Sequence, residues 1–139
     1  LNVKVPRMTA NNTPYGEAIS GYNASNSLPY MAFDNNDTTR HIGTEGSGDT
    51  SWLGYKFTNP ICVKKISYHI TNATFKIQGS NDGSTWEDIE NGKTHTDGTK
   101  TEDIANDKYY LLYRIFKTVS TMGNAMTTNE LQFYGREEA

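Results

Sequence analysis

Ten consecutive residues, Ala32-Phe33-Asp34-Asn35-Asn36-Asp37-Thr38-Thr39-Arg40-His41, hold the densest chemistry in the chain. After two apolar residues come two carboxylates, two carboxamides and two hydroxyls within six positions. Oxygen donors at this density suit a hard cation such as Ca²⁺, which takes roughly six to eight oxygens from carboxylates, carbonyls and hydroxyls. On composition alone a polar turn accounts for the same residues more simply, because Asp and Asn side chains bond their own backbone. The spacing is not that of an EF-hand: no Gly stands at the sixth position and no Glu closes the loop.

Catalytic patterns are missing. His41, His69 and His95 lie in unrelated contexts, without the HExxH spacing that holds zinc. Neither a Gly-x-Ser-x-Gly elbow nor a glycine-rich phosphate loop occurs. Asp34 and Asp37 could in principle flank a glycosidic bond, but a general acid needs burial to raise its pKa and these sit in a very polar loop. Cys62 lies in the apolar run Pro60-Ile61-Cys62-Val63 and reads as a small buried hydrophobe. A single cysteine forms no internal disulfide. The expectation is a protein that is not an enzyme.

The elements that must position the donor loop are strands. Leu53, Tyr55 and Phe57 alternate, as do Ile66, Tyr68 and Ile70, with a slip at Lys64-Lys65 that predicts a bulge or corner. Glu17 to Ser20 fits a short strand, Leu28 to Phe33 a helical turn, and Leu1 to Met8 a first or edge strand. Phe75 and Ile77 mark a strand closed by the turn at Asn81-Asp82-Gly83. Tyr109 to Phe116 and the alternating Leu131 and Phe133 mark two more, while Asn91 to Asn106 reads as a protruding loop with a short strand in it. No helical period extends over ten residues. The 139 residues, 35% apolar and rich in Asn and Thr, suit one all-β domain, an antiparallel β-sandwich. A formal net charge of −3 argues against nucleic acid, and no apolar run approaches the ~18 residues that insert into a membrane. The chain opens on Leu1, which implies excision from a larger, multidomain parent.

The order of these blocks carries a resemblance. Ala32-Phe33-Asp34, Ser51-Trp52-Leu53, Ser80-Asn81-Asp82-Gly83-Ser84-Thr85-Trp86, Tyr113-Arg114-Ile115 and Glu130-Leu131-Gln132-Phe133-Tyr134-Gly135 follow one another as in the discoidin, or coagulation factor 5/8 type C, family. That family includes the family 32 carbohydrate-binding modules. The Ser80–Trp86 block and the Glu130–Gly135 ending are the specific parts, and the likeness covers about residues 29–135. It implies a galactose-binding-domain-like jelly roll, with residues 1–139 forming a single discoidin-like domain.

The resemblance also implies a structural Ca²⁺ held by Met31, Asp34, Asn36 and Thr39 together with Glu130 of the last strand, which would tie the first third of the chain to its end. Asn35 stands where the family usually has Gly, a mild departure because Asn tolerates positive φ. Sugar sites in the family lie on loops at one end of the sandwich, which makes Tyr22, Tyr30, Arg40, His41, Glu45, Trp52 and Asn124 the ligand candidates. His41 occupies a position where the family commonly has Trp, so it either fills the core or meets a ligand. Trp52 is more often core, and Arg114 matches an arginine that braces the fold. The implied function is a non-catalytic module that attaches a secreted, surface or virion protein to glycans, galactose-type or N-acetylated sugars first. The competing reading is a structural or protein-adhesion domain of a larger assembly that binds no sugar.

Overall fold

A computed structural model describes residues 2–21, 26–43, 51–71, 73–120 and 126–138. In chain order the strands are β1 (Val3–Lys4), β2 (Glu17–Ser20), β3 (His41–Ile42), β4 (Trp52–Thr71), β5 (Ala73–Ser80), β6 (Glu87–His95), β7 (Thr99–Asp103), β8 (Tyr110–Ser120) and β9 (Thr127–Glu137), with a 3-10 turn at Pro29–Ala32. Every strand pairing is antiparallel, and the fold is a β-sandwich.

The 20-residue strand β4 builds both layers. Its first part, Trp52 to Lys56, pairs with β2 and β8, and β8 continues through β5 to β6. Its second part, from Ile61 on, pairs with β9, and β7 joins it at Lys65 to His69. Between the parts, β4 advances from Lys56 to Ile61 while β8 advances only from Leu112 to Tyr110, so the strand leaves one layer and enters the other. The bulge expected at Lys64-Lys65 is present: β9 moves one residue, Gly135 to Tyr134, while β4 moves from Val63 to Lys65. The extra residue, Lys64, turns its ammonium outward to the Asn106 carbonyl at 2.6 Å.

Alternation sorts the side chains as expected. Leu53 and Tyr55 of β4, Phe75 and Ile77 of β5, and Tyr113 and Ile115 of β8 face Ile66, Tyr68 and Ile70 of β4 and Leu131 and Phe133 of β9, all buried. Ring contacts cross the gap, Tyr68 to Phe75 at 5.2 Å and Tyr113 to Phe133 at 5.8 Å between centroids. Each such fully buried side chain contributes about 1.5–3 kcal/mol.

Two stretches differ from the sequence expectation. The first strand is only two residues long, because Pro6 has no N–H to donate and the Gln132 side chain takes both backbone groups of Val5, at 2.8 and 3.0 Å. The stretch read as a protruding loop with a short strand, Asn91 to Asn106, holds more strand than that, the end of β6 as well as all of β7. It lacks an apolar period because polar pairs hold it: the Lys93 ammonium meets Glu102 at 2.6 Å and Glu90 at 2.9 Å, and Tyr68 donates to Glu102.

Candidate functional site: the donor loop and the outer aromatic wall

The donor loop is fixed at its entry by burial of Ala32 and Phe33 and by the Met8 N–H bonded to the Phe33 carbonyl at 2.9 Å. Asp34 Oδ1 then accepts from the Asn36 N–H, and Asn36 Oδ1 accepts from the Thr38 N–H, both at 3.0 Å. Two Asx turns in succession fold the chain back on itself. Asn35 takes the left-handed conformation, φ 57°, at the position where a glycine is the alternative.

This folding gathers oxygens. Thr39 Oγ1 lies within reach of Asp34 Oδ2, of the Asn36 carbonyl at 2.9 Å and of the Met31 carbonyl at 3.3 Å. One hydroxyl proton serves only one of three acceptors at a time. Glu130 arrives from β9 beside Asp34, and its Oε2 is buried with no hydrogen-bond partner. Burial, then the charges of Asp34 and Asp37, push the Glu130 carboxyl up to about 8, and the Asn35 N–H works against them. The structure thus brings Met31, Asp34, Asn36, Thr39 and Glu130 to one place. Among the described residues no three or more His, Cys, Asp or Glu side chains form a metal-binding group. The donors here are two carboxylates, a hydroxyl and two carbonyls, a set that fits calcium and not zinc.

Asp37 stays outside that set and anchors the loop instead. Its carboxylate meets His69 Nδ1 at 2.8 Å, and the other ring nitrogen meets Asp97 at 2.7 Å. Burial lowers the His69 pKa, but the hydrogen bonds and charges of the two aspartates outweigh it and raise the pKa above its ordinary value. Asn129, the extra residue where β9 slips against β4, donates to the Asp37 carbonyl at 2.9 Å. These contacts were not legible in the sequence, which places the residues 28 to 92 positions apart.

The sugar candidates are dispersed. Tyr22, Glu45 and Asn124 lie outside the described residues. Tyr30 is partly buried against the core, and Arg40 is exposed. His41 is 0% exposed, opposite Thr128 on β9, so of the two readings left open by the sequence its place in the structure is that of a core residue. His41→Ala should therefore cost about 1–2 kcal/mol of stability through the space it leaves. Urea unfolding checks this, with a loss under about 0.3 kcal/mol as the contrary result.

Trp52 begins β4, with its indole on the outer face of the β2–β4–β8–β5–β6 layer. Arg114 of β8 packs against both it and Trp86, its guanidinium carbon 4.9 Å from the Trp52 ring and 3.9 Å from the Trp86 ring, with Phe116 at 4.7 Å. Gln78 Oε1 accepts from Arg114 Nε at 2.7 Å and fixes the fork. Burial pulls the Arg114 pKa down to about 10, so it stays charged at neutral pH. Trp86 enters this wall from the turn after β5, where Asp82 Oδ1 accepts from the Ser84 and Thr85 N–H groups at 2.8 Å. Sequence reasoning assigned Trp86 no ligand role; its membership in the Ser80–Trp86 block was the available signal. The groove of about 540 Å³ beside Trp52 and Trp86 includes none of Tyr30, Arg40 and His41.

No protein-family model matches the chain, and no curated protein matches it in sequence. Solved structures do. Chitosan-binding module 1 from a chitosanase/glucanase of Paenibacillus sp. IK-5 superposes with a TM-score of 0.74 at 21% identity, over 91% of this chain and 99% of that one. A family 32 carbohydrate-binding module from a family 31 glycoside hydrolase of Clostridium perfringens gives 0.70 at 19% identity, over 87% and 91%. Another Clostridium perfringens module of that kind, solved with GalNAc-β-1,3-galactose, gives 0.72 at 12% identity, over 86% and 94%. At these identities the likeness establishes the fold, the jelly-roll β-sandwich expected from the sequence blocks.

Proposed function

We propose that this domain is a non-catalytic glycan-binding module that holds a larger secreted or surface protein on its target. The observation that supports this most is the superposition, over most of its length, on modules solved with sugars. Their bound sugars differ: GalNAc-β-1,3-galactose in one, chitotriose in a second and 4,5-unsaturated mannuronic acid in a third. The superposition therefore supports a glycan as the class of ligand and leaves its identity open. Galactose-type and N-acetylated sugars are the first candidates, with Arg40 at the loop end and Trp52 on the adjoining sheet face as described candidate residues.

The reading includes a structural Ca²⁺ held by Asp34, Glu130 and the Thr39 hydroxyl with the Met31 and Asn36 carbonyls. When bound, the cation supplies the positive charge that Glu130 and Asp34 lack. The perturbed Glu130 carboxyl beside other acids also invites comparison with a glycosidase pair. Five oxygens gathered from one loop and the last strand favour a cation over a proton donor.

A glycan array followed by titration calorimetry tests the function. The expected result is weak, specific binding of a galactose-type or N-acetylated glycan, with no hydrolysis of aryl glycosides. Turnover that persists through purification and is lost in Glu130→Gln would overturn the non-catalytic reading. A domain that binds no glycan but self-associates would favour the structural one.

A further inference from the structure

The outer face of the β2–β4–β8–β5–β6 layer is built unlike the rest of the surface. Across it the register aligns Ile19 with Gly54, Gly54 with Arg114 and Arg114 with Gln78. Gly54 presents no side chain, and Arg114 fills the space over it, its Cβ 2.8 Å from where a Cβ on Gly54 would stand. Trp52 and Trp86 stand beside Arg114 as one wall, ring centroids 6.0 Å apart, locked by the guanidinium packed against both. Leu112 supplies an apolar floor, and Glu17, Lys56 and Asp82 stand on the rim. The Trp52 indole also presses on Gly21, where an added Cβ would come within 2.6 Å of Nε1, so the ring has little freedom to move.

Rigid aromatic edges over an apolar floor, with charged hydrogen-bonding groups around them, are the parts a pyranose needs. Its C–H face packs on rings while its hydroxyls find acceptors and donors. Two carboxylates and one ammonium on the rim, with the Arg114 guanidinium behind the tryptophans, leave no excess of positive charge for an acidic sugar. Backbone N–H groups from Thr85 and Ser84 hold the Asp82 carboxyl below its usual range, which keeps that charge in place at neutral pH.

We infer that this groove between β2 and the Ser80–Trp86 turn is a saccharide site on the flank of the sandwich, taking a neutral or amino-sugar oligosaccharide along Trp52 and Trp86. The inference rests on the glycan-binding reading and places contact on the sheet face as well as at the loop end. A ligand seated here reaches β4 and β8 directly, and these strands move less than loops.

The chain has two tryptophans and both line the groove, so their indole N–H resonances report on it without any substitution. The labelled domain is titrated with lactose, N-acetylchitotriose, chitotriose and trigalacturonate. Saturable shifts of both indole signals are expected with at least one of the first three, and none with trigalacturonate. Trp86→Ala should weaken the binding at least ten-fold, and Lys56→Ala, an exposed rim change that leaves the core intact, about three-fold. Binding that leaves both indole signals in place, survives these substitutions and is lost in Arg40→Ala would overturn the flank site while the glycan-binding reading stands. Shifts with trigalacturonate alone would overturn the assigned sugar class. If none of the four sugars binds, the flank site falls as well. Should Trp86→Ala unfold, the indole shifts of the unaltered domain and the Lys56→Ala affinity decide.

Discussion

Adding Ca²⁺ to the metal-free domain is expected to raise its melting temperature by on the order of 10 °C. A ligand at one hundred times its dissociation constant that binds only the folded state adds about 2.7 kcal/mol, and a domain of this size gains a few degrees per kcal/mol. Asp34→Ala and Glu130→Gln should each abolish the response. The pH dependence follows from Glu130, whose carboxyl rises from 4.5 to about 8 on folding. Between those values the metal-free fold keeps a proton that the unfolded chain has released. Its stability contribution is therefore present at low pH and lost as pH rises toward 8. Calcium competes with that same proton, so its effect should grow across this window, and binding at pH 7 should release close to one proton. Melting curves from pH 5 to 9 with Ca²⁺ and with EDTA are the measurement. Identical curves at every pH would remove the cation from the account, and Glu130→Gln should flatten the metal-free profile.

The second large effect is at Tyr113, which is fully buried in β8 and reaches across to the corner of β4. Its hydroxyl donates to the Ile61 carbonyl at 2.6 Å and accepts from the Val63 N–H at 3.1 Å and Asn106 Nδ2 at 3.2 Å. The ring packs on Tyr110, Phe57 and Phe133. Burial pushes its pKa up to about 12, so it remains a neutral donor. Tyr113→Phe keeps the ring but leaves the Ile61, Val63 and Asn106 groups without that partner, at a cost of about 2 kcal/mol. Tyr113→Ala also opens a cavity, for about 3–5 kcal/mol. Urea unfolding with unchanged slope is the expected readout. If Tyr113→Phe loses less than about 0.5 kcal/mol, the hydroxyl is not what holds the corner.

The parts of this fold that the sequence reveals are those where one face meets the core. Leu53, Tyr55 and Phe57 announce their strand by alternation, and the phase slip at Lys64 announces the bulge. Glu17 to Ser20 and the turn at Pro29 to Ala32 are legible for the same reason. The short strand expected within Asn91 to Asn106 is β7, but its bounds are not legible, because Thr99 to Asp103 is stabilised by polar neighbours such as Ser67 and leaves no apolar period. The donor loop's residue types could be read directly, whereas its choice between turn and cation site depends on Glu130, 91 positions downstream of the loop's last donor, Thr39. His41 shows the limit most clearly. A histidine reads the same in the sequence whether it packs or binds, and only its place opposite Thr128 separates the two. Arg114 and Trp86 likewise become one unit only when β8 and the turn after β5 meet.

Strand β4 also has a mechanical consequence. Its twenty residues are shared between the two layers, so neither layer can be pulled away without stripping the same backbone of half its partners. Load applied at the Trp52 end passes along a covalent chain into the β9 pairing, and it is opposed by many ladder hydrogen bonds in shear and not by one pair at a time. Under the proposed glycan-binding role, such a spine should make release of the ligand, and not rupture of the fold, the event that yields first under load.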